Sequence, residues 1–229
     1  MITTDKVWFA PINVLYHYAR LESIVSPQEN EKSAFKKATE AYNVAIMLMG
    51  IIKYQKRQYW LQVTKDEEGT PDIRTGTFVI RKGQPKELAI QEVEVIEFGQ
   101  HSQDYIVDFL KRTKLSSKRA YPSTTTILCK VSKTVQLPPY KKIYNDLRTV
   151  AVKTPVIILG KIHPSKHIYR ICQVHPNIDL LVDFDVMEES YNKKYRGVLR
   201  LEKGANDSLN FIYVPNEKHY PFELLGYKG

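Results

Sequence analysis

The run LAIQEVEVIEF, Leu88 to Phe98, sets Glu92 and Glu94 two residues apart in an otherwise apolar stretch. Strand side chains alternate, so both carboxylates leave one face while Val93 and Val95 leave the other. Asp72 follows Pro71 just ahead of another strand-like run, and Glu40 stands four residues before Val44 in a helical pattern. Three or four carboxylates brought together from adjacent elements can bind Mg²⁺, a hard cation that takes oxygen ligands and keeps several waters. Such an ion lowers the pKa of its water and neutralises charge on a phosphodiester. Lys and Arg outnumber Asp and Glu by 34 to 25, a net charge of +9, so the chain attracts polyanions. An acidic pocket in a basic chain makes chemical sense when the substrate is a polyanion and a metal ion lies between the two.

Basic residues are clustered. KRTKLSSKR contributes Lys111, Arg112, Lys114, Lys118 and Arg119, while Lys53–Arg57 and Asn192–Arg196 mix bases with tyrosine. These clusters are expected to contact phosphates, with the tyrosines available for stacking. The structural alternative for each is a solvated helix end.

Two other groupings compete for the chemistry. Asp179, Asp183 and Asp185 alternate along DLLVDFDV, a pattern seen where metals bind nucleotide triphosphates; an edge strand is the simpler reading. His163, His167, Cys172 and His175 lie within thirteen residues, but Pro164 and a strand-like run between them break zinc-knuckle spacing, and exposed loop histidines are expected. There is no G-x-S-x-G elbow, P-loop or dinucleotide fingerprint.

Several elements must position these groups. SPQE at Ser26–Glu29 reads as a capped helix start, and helical spacing continues to about Arg57, with a break near Ser33. One stripe comprises Phe35, Ala38, Tyr42, Ala45, Met49 and Ile52. Val44, Met47 and Ile51 form another on the opposite side, so the helix is expected to be covered on both flanks. Glu40 falls at the solvent edge. Strands are expected at Tyr59–Val63, Ile73–Ile80 and across the glutamate run, then a helix in HSQDYIVDFLKRT, a strand in TTTILCKV and a short helix in PPYKKIYNDL. Beyond Pro155, VIILGKI, YRICQV, DLLVDFDV, GVLRLE and LNFIYV are five strand-like runs.

The chain has 229 residues, 43% hydrophobic and 26% charged, enough for one substantial core. Two cysteines in strand-like surroundings form no disulfide framework, so a reducing cytosol and a cytoplasmic location are expected. The apolar run Val44–Ile52 is too short to span a bilayer, and no membrane role follows.

Glu40 on a helix, Pro71-Asp72 at a strand and Glu92-Val93-Glu94 on the next, followed by helix and strand, resemble the PD-(D/E)xK nucleases, the restriction-endonuclease-like superfamily. The resemblance covers roughly residues 33 to 150. It implies an α/β fold with a restriction-endonuclease-like core, taken over 1–150, its central mixed sheet flanked by helices; the resemblance leaves 151–229 unexplained, and the five strand-like runs there are read as a β-rich C-terminal extension. It also implies hydrolysis of phosphodiester bonds, DNA being the expected substrate, with Mg²⁺ or Mn²⁺ held by Asp72, Glu92 and the carbonyl of Val93, Glu40 assisting, and a homodimer admitted. The chain departs from the family in carrying Glu94 where lysine is usual. Glu94 could serve as base or ligand but adds no positive charge, so either the site leans more on the metal or a basic residue arrives from elsewhere, Lys130 and Arg74 being the candidates. Otherwise the fold is a non-catalytic nucleic-acid-binding or assembly module. A protein-interaction domain that uses the β-rich tail as its contact surface is a third reading.

Overall fold

The computed structural model describes residues 7–26, 33–64, 72–80, 87–99, 105–115, 121–122, 124–132, 137–150, 154–163, 165–188, 196–203, 209–215 and 220–227. These form β1 (Val7–Phe9), α1 (Pro11–Ile24), α2 (Ser33–Gln55), β2 (Tyr59–Val63), β3 (Ile73–Val79), β4 (Glu87–Phe98), α3 (Ile106–Thr113), β5 (Thr125–Val131) and α4 (Tyr140–Leu147). The strands β6 (Val156–Lys161), β7 (Ile168–His175), β8 (Leu181–Asp185), β9 (Val198–Lys203) and β10 (Leu209–Val214) follow. The expected order of helix, three strands, helix, strand and helix is present from α2 to α4. The ten strands make one mixed sheet in the order β10-β9-β1-β2-β3-β4-β5-β6-β7-β8.

Only β4 with β5 and β5 with β6 pair in parallel. Parallel neighbours need a crossover long enough to return the chain to the starting end of the sheet, and α3 and α4 provide it. Both helices cover the same face, where Ile106, Leu110, Ile143 and Leu147 pack on Ile127, Cys129 and Ile158. The other face is covered by α1 and α2, over Ile73, Val93, Leu128, Ile157 and Leu159. Alternation along β4 therefore sends Val93 to one helical layer and Glu94 to the other.

The α2 helix is buried at Phe35, Lys37, Ala38 and Ala41 and without interruption from Asn43 to Ile52, as its two stripes require. A Cβ on Gly50 would lie 2.7 Å from both Ile171 Cδ1 and Phe184 Cε1, so the missing side chain lets α2 sit close on β7 and β8. No described helix is long and apolar enough to cross a membrane.

The C-terminal strands enter the same sheet at both of its ends. β6 to β8 extend it beyond β5, while β9 and β10 return to flank β1. That half of the sheet is rolled. Phe78 on β3 meets Phe211 on β10 at 5.5 Å between ring centroids, although three strands separate them in the ladder. The roll encloses a small core of Trp8, Ala10, Trp60 and Leu199. Gly197 fixes the corner: at φ +110° its main chain passes so close to Val214 that a Cβ would lie 2.5 Å from that residue's carbonyl oxygen. Its own carbonyl accepts the Ala10 N–H and Asn13 Nδ2, both at 3.0 Å, which anchors the start of α1.

Candidate active site

The site is built where β3 and β4 part. Ile73 and Val93 are the last pair of the register at this end, and Asp72 and Glu94 are the residues that follow it on the two sides. Thr64, just past the end of β2, donates its hydroxyl to the Asp72 carbonyl at 3.0 Å and holds the main chain there. The Asp72 carboxylate then takes over a ladder position: Oδ2 accepts the Val95 N–H at 2.8 Å. Beyond Val95 the edge of β4 is free of β3. From α2, Lys37 Nζ approaches Asp72 Oδ1 to 3.9 Å, its side chain only 4% exposed.

Glu94 turns to the α3 layer. Its side chain is 3% exposed, and Oε2 accepts Lys114 Nζ at 2.5 Å from the end of α3. The other oxygen, Oε1, is buried with no hydrogen-bond partner among the described residues. A half-satisfied buried carboxylate is costly to keep, and it is the kind of group that a cation would complete.

Beside this pair lies a cavity of about 710 Å³, lined from α2 by Phe35, Lys36, Thr39, Glu40 and Asn43, from β4 by Val95, Ile96 and Glu97, and by Arg112, Thr113 and Lys114. The side-chain charges on its wall are three basic and two acidic. Glu40 is half-buried here, at the edge of the α2 stripe.

The other expected residues are placed as follows. Glu92 shares its face with Glu94, opposite Arg74 in the register, and its Oε2 accepts the Thr125 hydroxyl at 3.4 Å. Val93 is paired on both sides, with Ile73 and Thr126, so its main chain lies inside the ladder. Lys130 is not brought to Glu94. It pairs with Glu97 at 3.3 Å on the α2 face, the opposite side of the sheet. Lys111 lies in the last turn of α3 but not on the cavity wall, whereas Arg112 and Lys114 line it. Pro71, Lys118, Arg119, Pro27–Glu29 and residues 192–195 lie outside the described residues. Among the described residues, no group of three or more His, Cys, Asp and Glu side chains is gathered as a metal cluster.

The rival groupings disperse. Asp183 forms a two-point pair with Arg170, Nε to Oδ1 at 2.5 Å and Nη2 to Oδ2 at 2.6 Å, on the terminal strand β8, and Asp185 accepts the Met187 N–H. His163 accepts turn N–H groups from Ser165 and Lys166, while Cys172 is buried in the α3/α4 layer.

Sequence reasoning missed Lys37 as a buried cation. It stands at helical spacing with Ala41, Val44 and Leu48, so its place on the apolar stripe was the available signal. Lys114 was read only as a phosphate contact; its pairing with Glu94 depends on where the crossover helix ends. No protein-family model, curated protein or solved structure matches the chain.

Proposed function

We propose that the protein is a metal-dependent nuclease that hydrolyses phosphodiester bonds, with DNA as the expected substrate. The observation that carries this reading is the Asp72 carboxylate bound to the Val95 N–H, one residue along β4 from Glu94, beside a cavity lined by Glu40, Lys36, Arg112 and Lys114. The donor set offers Mg²⁺ or Mn²⁺ few protein ligands, as suits an ion that keeps its waters: the Asp72 carboxylate where β3 and β4 part, and Glu94, whose Oε1 is buried without a partner among the described residues. Asp72 and Glu94 would be its carboxylate ligands, and Glu40 lies on the wall of the neighbouring cavity. When bound, the ion supplies an acidified water and neutralises charge at the phosphate. The chain itself does the rest. Lys114 orients the Glu94 carboxylate and provides, from α3, the positive charge that position 94 lacks. Lys37 does the same for Asp72. Lys36 and Arg112 draw the polyanion to the cavity.

Purified protein incubated with single-stranded, linear and circular DNA and with RNA, plus Mg²⁺ or Mn²⁺, is expected to cleave at least one of them. Cleavage should fall at least 100-fold, an order-of-magnitude loss for a metal ligand, in Asp72→Asn and Glu94→Gln. Cleavage unchanged in both variants refutes the assignment.

One feature favours a second reading, a non-catalytic nucleic-acid-binding or assembly module. Lys114 already neutralises a Glu94 that is almost wholly buried. That reading expects salt-sensitive binding of nucleic acid with neither cleavage nor heat on metal titration.

A further inference from the structure

A second cavity, of about 560 Å³, opens on the α1/α2 face at the carboxyl ends of β4, β5 and β6. These three strands run parallel, and in open α/β sheets the crevice outside such strand ends is where ligands bind. Its two ends differ in charge. Lys161 and His167 stand on the β6–β7 side and Glu22 on the α1 side, while Glu97 of β4 is paired with Lys130 of β5, at 3.3 Å, between them. Register explains the separation: Glu97 pairs with Lys130, Lys130 with Leu159, and Lys161 with Tyr169 one layer further on. Two strand spacings, about 10 Å, thus divide Glu97 from Lys161, with Lys130 on the strand between them.

The floor between them is aromatic and rich in hydroxyls. Tyr42 stacks on Tyr18 at 4.3 Å, and its hydroxyl meets that of Tyr169 at 3.4 Å. Lys161 Nζ lies 6.0 Å from the centroid of the Tyr169 ring. Burial raises both the Tyr18 and Tyr42 hydroxyls above the usual phenol range, so each stays a neutral donor or acceptor.

We propose that this cavity binds a nucleoside monophosphate unit. The phosphate sits at Lys161 and His167, the sugar and base lie along the tyrosines, and Glu22 and Glu97 accept hydrogen bonds from base amino groups or sugar hydroxyls. A ligand with one anionic end and one donor-rich end matches this polarity; inorganic phosphate or a bare nucleoside satisfies only half of it. Thr39, Asn43 and Glu97 line both cavities, which makes them one cleft. Where the first cavity holds the scissile phosphate, a step that rests on the nuclease reading, the second takes a neighbouring nucleotide whose base, laid along the tyrosines, is unpaired.

Calorimetric titration of the full chain in chelator, without divalent metal, tests the site. Adenosine 5′-monophosphate or thymidine 5′-monophosphate is expected to bind at least tenfold more tightly than inorganic phosphate or the matching nucleoside. Lys161→Ala, with His167→Ala as a second surface variant, should each weaken that binding several-fold. A single-stranded oligonucleotide should compete with the monophosphate, and a duplex of the same sequence should not. No nucleotide binding at millimolar concentration, or binding unchanged in both variants, overturns the proposal. Absence of nucleotide binding with cleavage retained removes this site alone; nucleotide binding without cleavage removes the nuclease reading alone.

Discussion

Replacing Lys114 by alanine isolates the charge on which the candidate site is built. The Glu94 side chain is 3% exposed and Lys114 14%, and among the described residues only Oε2 of the two Glu94 carboxylate oxygens has a hydrogen-bond partner. Removing the ammonium leaves a buried carboxylate with neither oxygen served. Breaking a buried pair by deleting one partner costs about 3–5 kcal/mol, and the partial exposure of Lys114 places the expectation at about 3 kcal/mol. In a chain of this size about 3 kcal/mol lowers Tm by roughly 6–12 °C. Adding Glu94→Gln to the same chain removes the stranded charge and should return most of the loss, since a buried amide costs far less than a buried carboxylate. Denaturant unfolding of the wild type, both single variants and the double variant gives the coupling directly. A Lys114→Ala protein within about 0.5 kcal/mol of wild type, the range of ordinary surface changes, would refute the claim that this pair is held out of water.

Three further outcomes are expected. Burial pushes the Cys129 thiol up to about 12 and Cys172 up to about 11, and both are fully buried; alkylation at mildly alkaline pH should therefore leave the folded chain unlabelled and modify both residues in denaturant, read by mass spectrometry. Gly50→Val should lower stability by about 2 kcal/mol or more in denaturant unfolding, because its Cβ alone would lie 2.7 Å from Ile171 and Phe184 and the added methyls have no space to enter. The hydrogen bonds from Arg170 hold the Asp183 carboxyl below the usual carboxylate range, so the folded form binds its proton less readily than the unfolded chain. The resulting stabilisation is present above the ordinary carboxylate pKa and lost as pH falls through the depressed one. The pair is more than a third exposed, so Asp183→Asn should cost at most about 1 kcal/mol at neutral pH and nearly nothing once the pH is well below about 4.

Strands and helices with a clear period were legible in the sequence. Tyr59–Val63 is a strand with those bounds, and β4 extends the expected run by a single residue, because alternation or a continuous apolar run defines them locally. β1 and α1 were not. Val7–Phe9 is only three residues long and is a strand because Arg200, Leu199 and Val198 lie beside it. Glu40 was expected at the edge of its stripe and lies there, on a cavity wall. That Asp72 and Glu94 follow the last β3–β4 pair could not be read, since it depends on the register. The separation of Lys130 from Glu94 depends on parity: positions 94 and 97 of one strand leave opposite faces, and register assigns Lys130 to Glu97.

The return of β9 and β10 to the side of β1 has a consequence for biosynthesis. Val7 leaves the ribosome with Arg200, its partner on that side, still 193 positions behind it. At about 5–20 residues per second the wait is roughly 10–40 s. Throughout it the segment Val-Trp-Phe presents an unprotected edge, exposed to capture by another nascent chain. A holding chaperone at the amino-terminal end would serve this protein until its last hairpin is made.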